Sequence, residues 1–152
     1  MTKILTVCLG NICRSPMAEG IITHIARREN LEFEIDSCGT GGWHAGEKPD
    51  PRARQYMKAS GIPIDHLRAR QIRESDLDYF DHILVMDNSN YQNVLNLCKN
   101  DAQRQKVKLM LSYWPESPIQ EVPDPYYGGE EGFAQVFYLL ENAALNFVKS
   151  LK

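Results

Sequence analysis

Cys8 and Arg14 are separated by five residues, Leu9, Gly10, Asn11, Ile12 and Cys13, and Ser15-Pro16 follow at once. A cysteine is a nucleophile once its thiolate is stabilised, and an arginine offers a planar fork of N–H donors that matches two oxygens of a phosphate. If the five intervening residues curl around a point, their N–H groups converge on it, and a helix start just beyond adds its positive end. The segment reads as an anion cradle, and phosphate fits it. The same field stabilises a thiolate, which would make Cys8 an activated nucleophile. Gly10 is expected to supply the backbone angles of the loop, and Asn11 a left-handed position or a brace through side-chain hydrogen bonds. Cys-x5-Arg also arises by chance, and a cysteine after an apolar strand is usually a small buried hydrophobe. What sets this one apart is its place between a strand and a Ser-Pro helix start.

The elements that would position these residues are short and alternating. Ile4-Leu5-Thr6-Val7 is a β-prone run suited to a buried strand. Ser15 and Pro16 look like the N-cap and first position of a helix continued by Ala18, Ile22, Ile25 and Ala26. Glu32 to Ser37 alternates as a second strand, and Gly39, Gly41, Gly42 and Gly46 mark a loop. Asp50-Pro51 starts a helix that stops at Gly61. His82 to Met86 is a third strand, ended by Asp87-Asn88-Ser89-Asn90, which caps a helix through Leu95 and Leu97. Val107 to Leu111 is a fourth strand candidate, and Pro115, Pro118, Pro123 and Pro125 make a loop. Phe133, Val136, Phe137, Leu140, Ala144, Phe147, Val148 and Leu151 form one face of a final helix, with Lys149 and Lys152 complementing its dipole. Alternation of strands and helices implies an α/β fold, a parallel sheet covered on both faces, with ligands bound beyond the carboxyl ends of the strands.

Composition bounds the rest. The chain has 152 residues, 43% hydrophobic and 24% charged, with 17 Lys and Arg against 20 Asp and Glu for a formal charge of −3. That length supports one core, residues 1–152 read as a single domain, and disorder is excluded. A mildly acidic chain with no basic run gives no reason to expect nucleic acid, and the short apolar segment ending at Cys8 is too brief for a signal or membrane span. Four cysteines are far fewer than a disulfide scaffold uses, so a cytoplasmic location is expected.

Cys8 to Glu19, together with Asp124-Pro125-Tyr126-Tyr127, resembles the low-molecular-weight protein tyrosine phosphatases. Asp36-Ser37, Ala69-Arg70-Gln71 and Met86-Asp87-Asn88-Ser89-Asn90 follow the same order and spacing, so the resemblance spans the chain. It implies a four-stranded parallel sheet with helices on both faces and a phosphate-binding loop after the first strand. It also implies hydrolysis of phosphotyrosine in proteins, and of small aryl phosphates, through a phosphocysteine, with inorganic phosphate as product and no metal or other cofactor. The protein is expected to act as a monomer, away from membranes.

By the same resemblance Cys8, Arg14 and Asp124 are catalytic, and Leu9, Gly10, Asn11, Ile12, Cys13 and Ser15 hold the phosphate. Trp43, Tyr126 and Tyr127 would wall the cleft, although loop aromatics often merely cover a core edge. A phenolate leaving group has a conjugate acid of pKa ~10 and benefits from a proton donor, which a carboxylic acid can be. Pro123 and Pro125 bracket Asp124 and narrow its backbone freedom. Without the resemblance Asp124 would pass for a turn residue. Ser15 could hydrogen-bond the Cys8 thiolate, and Asn11, Ser37, His66 and Asp87 resemble a loop-bracing network. Cys13, on the same loop, would trap oxidised Cys8 as a disulfide, its alternative being simple packing.

Three rivals are weighed against this. An arsenate reductase would need a further cysteine pair beyond the third strand, where only Cys98 stands. A phosphoarginine phosphatase typically has Thr where Ile12 stands, and Ile12 offers an apolar surface to an aryl ring. A noncatalytic phosphate-binding module would tolerate loss of the nucleophile or acid, and Cys8, Arg14 and Asp124 are all kept.

Overall fold

The computed structural model describes residues 1–152 apart from the side chain of Tyr127. Ile4, Leu5, Val7 and Cys8 are buried together because the strand that carries them, β1 (Thr2–Cys8), has a neighbour on each side and helices on each face. Its alternation divides the core in two. Ile4 and Cys8 join one apolar cluster, and Leu5 and Val7 the other.

β1 pairs in parallel with β2 (Phe33–Gly39), from Thr2 opposite Phe33 to Cys8 opposite Gly39. On its other side it pairs in parallel with β3 (His82–Val85), which in turn pairs with β4 (Val107–Leu109). The order is β2-β1-β3-β4, all parallel, as the four-stranded expectation required. The helix α1 (Arg14–Arg28) carries the chain from β1 to β2, and the next crossover passes β1 to place β3 beyond it. The connections therefore diverge at the carboxyl ends of β1 and β3, where a parallel sheet opens a crevice. Cys8 is the last residue of β1.

Helices cover both faces. α1, α2 (Pro51–Ala59) and α6 (Glu130–Ser150) contribute to the cluster around Ile4 and Cys8. α3 (Asp76–Tyr79) and α4 (Asn88–Leu97) contribute to the one around Leu5 and Val7, and α5 (Asp101–Arg104) leads into β4. α2 begins as its sequence indicates, with Pro51 in the first turn and the Asp50 carboxylate accepting the Arg52 amide at 2.8 Å. Asp87 likewise starts α4, its Oδ1 accepting the Asn90 amide at 2.8 Å while Asn90 Oδ1 accepts the Asp87 amide at 3.2 Å. The apolar face of α6 is broader than the spacing suggested: Leu139 and Ala143 are also buried, and Phe137 and Leu151 lie at its margin.

Differences from expectation lie at element ends. β2 starts at Phe33 and runs on to Gly39, because Gly39 still pairs with Cys8. β4 stops at Leu109, and Met110–Tyr113 tighten into a 3-10 turn. The four-residue helices α3 and α5 carry too little periodicity to be read in advance. Among the described residues no helix is long and apolar enough to cross a membrane.

Candidate active site

Residues 9–13 must connect the end of β1 to the start of α1, and Asn11 makes the tight turn at φ 59°, a left-handed conformation that Asn tolerates better than most residues. Its side chain fastens the loop on three sides. Nδ2 donates to Ser15 Oγ at 2.8 Å and Ser37 Oγ at 3.0 Å, and Oδ1 accepts the Arg70 amide at 3.0 Å. Cys8 Sγ accepts the Asn11 amide at 3.3 Å and lies 3.0 Å from Ser15 Oγ. The Ser15 hydroxyl already accepts from Asn11, so its own proton is free for Cys8 Sγ, or for the Cys38 carbonyl at 3.3 Å.

One expectation about this loop is corrected and one holds. Ser15 does not cap α1: the helix begins at Arg14, no side chain caps it, and the Ser15 hydroxyl points back to Cys8. The left-handed angle is at Asn11, as expected, and Gly10 is not at a positive φ. A Cβ at Gly10 would come within 3.1 Å of the His44 ring, which would have to give by a few tenths of an ångström.

Arg14 is buried and fixed. Its Nη1 donates to Asp87 Oδ2 at 2.6 Å and to the Val122 carbonyl at 3.1 Å. Asp124 Oδ2 stands 3.8 Å from Nη2. Burial alone would lower the Arg14 pKa, but the negative charges of Cys8, Asp87 and Asp124 and the bond to Asp87 hold it above its ordinary value. The Cys13 thiol is pushed up well beyond its usual range by burial first and then by the charges of Asp50, Cys8 and Asp124. Behind the loop the buried Glu19 carboxyl is raised to about 7. Burial is the main cause and Asp36 adds to it, against the bond from Ser37 and the charge of Arg70.

Asp124 precedes a 3-10 turn, Pro125–Tyr127, and its Oδ1 accepts the Tyr126 amide at 3.0 Å. It faces Cys8 and Arg14 across a cleft of about 320 Å³, lined also by Leu9, Ile12, Trp43 and Tyr126. Trp43, 72% exposed, stands at the rim, and its ring lies so close over Gly41 that a Cβ there would be 1.8 Å from it. Expected residues Leu9, Gly10, Ile12 and Cys13 all line the cleft, while Asn11 and Ser15 brace it from beneath. The expectation for Tyr127 concerns a side chain outside the described residues.

His66 does not join the loop network. It is exposed and lines a separate depression with Thr23, Gly61 and Pro63, and the brace on Asn11 comes instead from the Arg70 amide. Asp87 serves Arg14 rather than the loop backbone. Two residues at the site escaped sequence reading. His44 lines the cleft with its Nδ1 3.0 Å from Glu47 Oε2, and Arg52 reaches the Tyr126 carbonyl at 2.9 Å. Nothing local marks either one. An Arg two places after a helix-capping Asp reads only as a cap partner.

The arrangement sets a cysteine sulfur, a fixed guanidinium and a carboxyl around one pocket. The family model of low molecular weight phosphotyrosine protein phosphatases matches residues 3–152. The phosphatase of that name from Schizosaccharomyces pombe is 45% identical, over 99% of this chain and 99% of its own. The crystal structure of a protein tyrosine phosphatase from Entamoeba histolytica with Hepes in its active site superposes with a TM-score of 0.95 at 40% identity, covering 99% of this chain and 97% of the other. That of the drosophila arginine phosphatase has a TM-score of 0.93 at 32% identity, over 99% and 98% of the two chains.

Proposed function

The chain belongs to the low molecular weight phosphotyrosine protein phosphatases, and from that premise we propose that it hydrolyses phosphotyrosine and small aryl phosphates through a phosphocysteine on Cys8, with Asp124 as acid and then base. The observation that carries this reading is the single cleft in which Cys8 Sγ, braced by the Asn11 amide and Ser15 hydroxyl, faces the Arg14 guanidinium and the Asp124 carboxyl.

The steps follow from these groups. Arg14 and the loop amides hold the phosphoryl oxygens while the Cys8 thiolate attacks phosphorus. The P–O bond to the aryl group breaks as the S–P bond forms, and the Asp124 carboxyl gives its proton to the departing phenolate. Asp124, now ionised, takes a proton from water as that water attacks the phosphocysteine. The S–P bond breaks, phosphate leaves, and Ser15 donates its hydrogen bond to the regenerated thiolate. Asp87 stays fixed throughout, keeping Arg14 aimed without a reorganisation cost at the moment of transfer.

The aryl preference is supported by the apolar Ile12 and the aromatic Trp43 and Tyr126 around the cleft, which give a ring apolar contact. The test compares kcat/KM on matched peptides bearing phosphotyrosine, phosphoserine and phosphoarginine, and on aryl phosphates of graded leaving group. Phosphotyrosine is expected to dominate, Cys8→Ser to abolish turnover, and Asp124→Ala to lose most on the poorest leaving groups. A higher kcat/KM on phosphoarginine would overturn the substrate class, and equal losses across leaving groups would overturn the role of Asp124.

A further inference from the structure

Arg52, near the start of α2, bonds in two directions at once. Toward its own helix, Nε and Nη2 grip the two carboxylate oxygens of the buried Asp50, each at 3.0 Å. Outward, Nη2 donates to the Tyr126 carbonyl at 2.9 Å and Nη1 to the Gly128 carbonyl at 3.2 Å. Its guanidinium also lies 5.5 Å from the Tyr126 ring centre and 5.1 Å from that of Phe133. Asp50 in turn donates its amide to the Ile12 carbonyl of the phosphate loop at 2.8 Å. A continuous path of short bonds therefore runs from Ile12 through Asp50 and Arg52 to the segment that carries Asp124.

That segment is tied within itself by two hydrogen bonds. Asp124 Oδ1 accepts the Tyr126 amide at 3.0 Å, and the Gly128 amide donates to the Pro125 carbonyl at 3.0 Å, so the turn moves as one piece with the carboxyl at its head. Upstream it is pinned where the Val122 amide meets the Met86 carbonyl at 2.9 Å. Arg52 takes hold of its far side, at Tyr126 and Gly128.

We propose that Arg52 is a positioning residue for the acid step: by fastening the Pro125–Tyr127 turn to Asp50 and the phosphate loop, it sets where the Asp124 carboxyl stands relative to the leaving group. This rests on the reading of Asp124 as general acid. The Arg52 side chain is 40% exposed, so its contacts contribute modestly to stability, whereas a carboxyl displaced by ~1 Å can lose on the order of 10²-fold in rate. Activity and stability are therefore expected to separate on substitution.

The experiment measures kcat/KM, which reports phosphoryl transfer to Cys8, for aryl phosphates whose phenols have pKa values from about 7 to about 10. Arg52→Ala is expected to lose roughly tenfold on the poorest leaving group and less than about threefold on the best, steepening the leaving-group dependence. In the Asp124→Ala background it is expected to cost nothing further. Arg52→Lys, with a point charge in place of the fork, should recover part of the loss, and Arg52→Gln carries the same comparison should the alanine variant not fold. Equal loss on all leaving groups, or a loss that persists in full without Asp124, overturns the proposal while leaving the acid in place. Should Asp124→Ala itself show no leaving-group dependence, the acid reading fails and this proposal falls with it.

Discussion

Replacing Glu19 by glutamine is expected to stabilise the protein at neutral and alkaline pH and to leave it nearly unchanged in acid. The carboxyl is buried on α1 and raised to about 7 in the fold from its ordinary 4.5. Between those two values the folded chain binds a proton that the unfolded chain has lost, so wild-type stability falls as pH rises through that window and is fully reduced above it. Below the lower value both states are protonated and nothing is lost. At 1.36 kcal/mol per tenfold change in proton affinity, the gap corresponds to roughly 3 kcal/mol. Glutamine keeps an acceptor for the Ser37 hydroxyl and removes the titration. The assay is urea unfolding of both proteins from pH 4 to pH 8.5, where an m-value of about 2 kcal/mol/M turns the difference into a midpoint gain of about 1.5 M at the alkaline end. Groups that titrate alike in both proteins cancel in the difference. A difference that stays flat across the range, or that favours wild type as pH rises, would falsify the assignment of a buried carboxyl uncompensated by Arg70.

Asn11→Ala removes the bonds to Ser15, Ser37 and the Arg70 amide while keeping a left-handed backbone angle, and should cost about 2–3 kcal/mol in urea unfolding together with a fall in kcat. No loss of either would mean the loop holds itself. Brief peroxide is expected to oxidise Cys8 to a sulfenic acid, with which the Cys13 thiol would condense, releasing water and forming a disulfide. Wild type should regain activity with a dithiol and show that disulfide by mass spectrometry, Cys13→Ala should not, and equal recovery would return Cys13 to packing. Turnover of an aryl phosphate should be unchanged in excess chelator; activity lost there and restored by Zn²⁺ or Mg²⁺ would contradict a mechanism run by Cys8, Arg14 and Asp124 alone.

The sheet and its main helices were legible because β1, β3 and α6 carry strong local patterns: continuous apolar runs bounded by polar turns, and a period of 3.6. The loop from Cys8 to Arg14 was legible for the same reason, since both residues and the strand and helix around them are adjacent in the chain. What could not be read depends on distance. The partners of Asn11 and Arg14 lie in four other segments; the resemblance named Ser37, which does brace Asn11, and Asp87, which holds Arg14 instead, but it gave a further brace to His66 where the Arg70 backbone amide supplies it and left out the Val122 carbonyl. Backbone groups leave no trace in a sequence. Arg52 was invisible because its outward partners are carbonyls, and any residue at Tyr126 or Gly128 would offer the same oxygen.

The fastenings of the phosphate loop have a consequence for how the protein is made and unmade. They reach 26 residues ahead to Ser37, 59 to the Arg70 amide, 73 to Asp87 and 108 to the Val122 carbonyl. A chain still emerging from the ribosome, or one with only its first strands paired, has the cysteine and the arginine but not the ties that aim them. Such distant pairings are the slow part of assembly. On the proposed function, the grip on phosphate is expected to be complete only once these distant ties have closed. Inorganic phosphate should accordingly slow the escape from the native state while leaving the rate of reaching it almost untouched, since a ligand can stabilise only what has already been built.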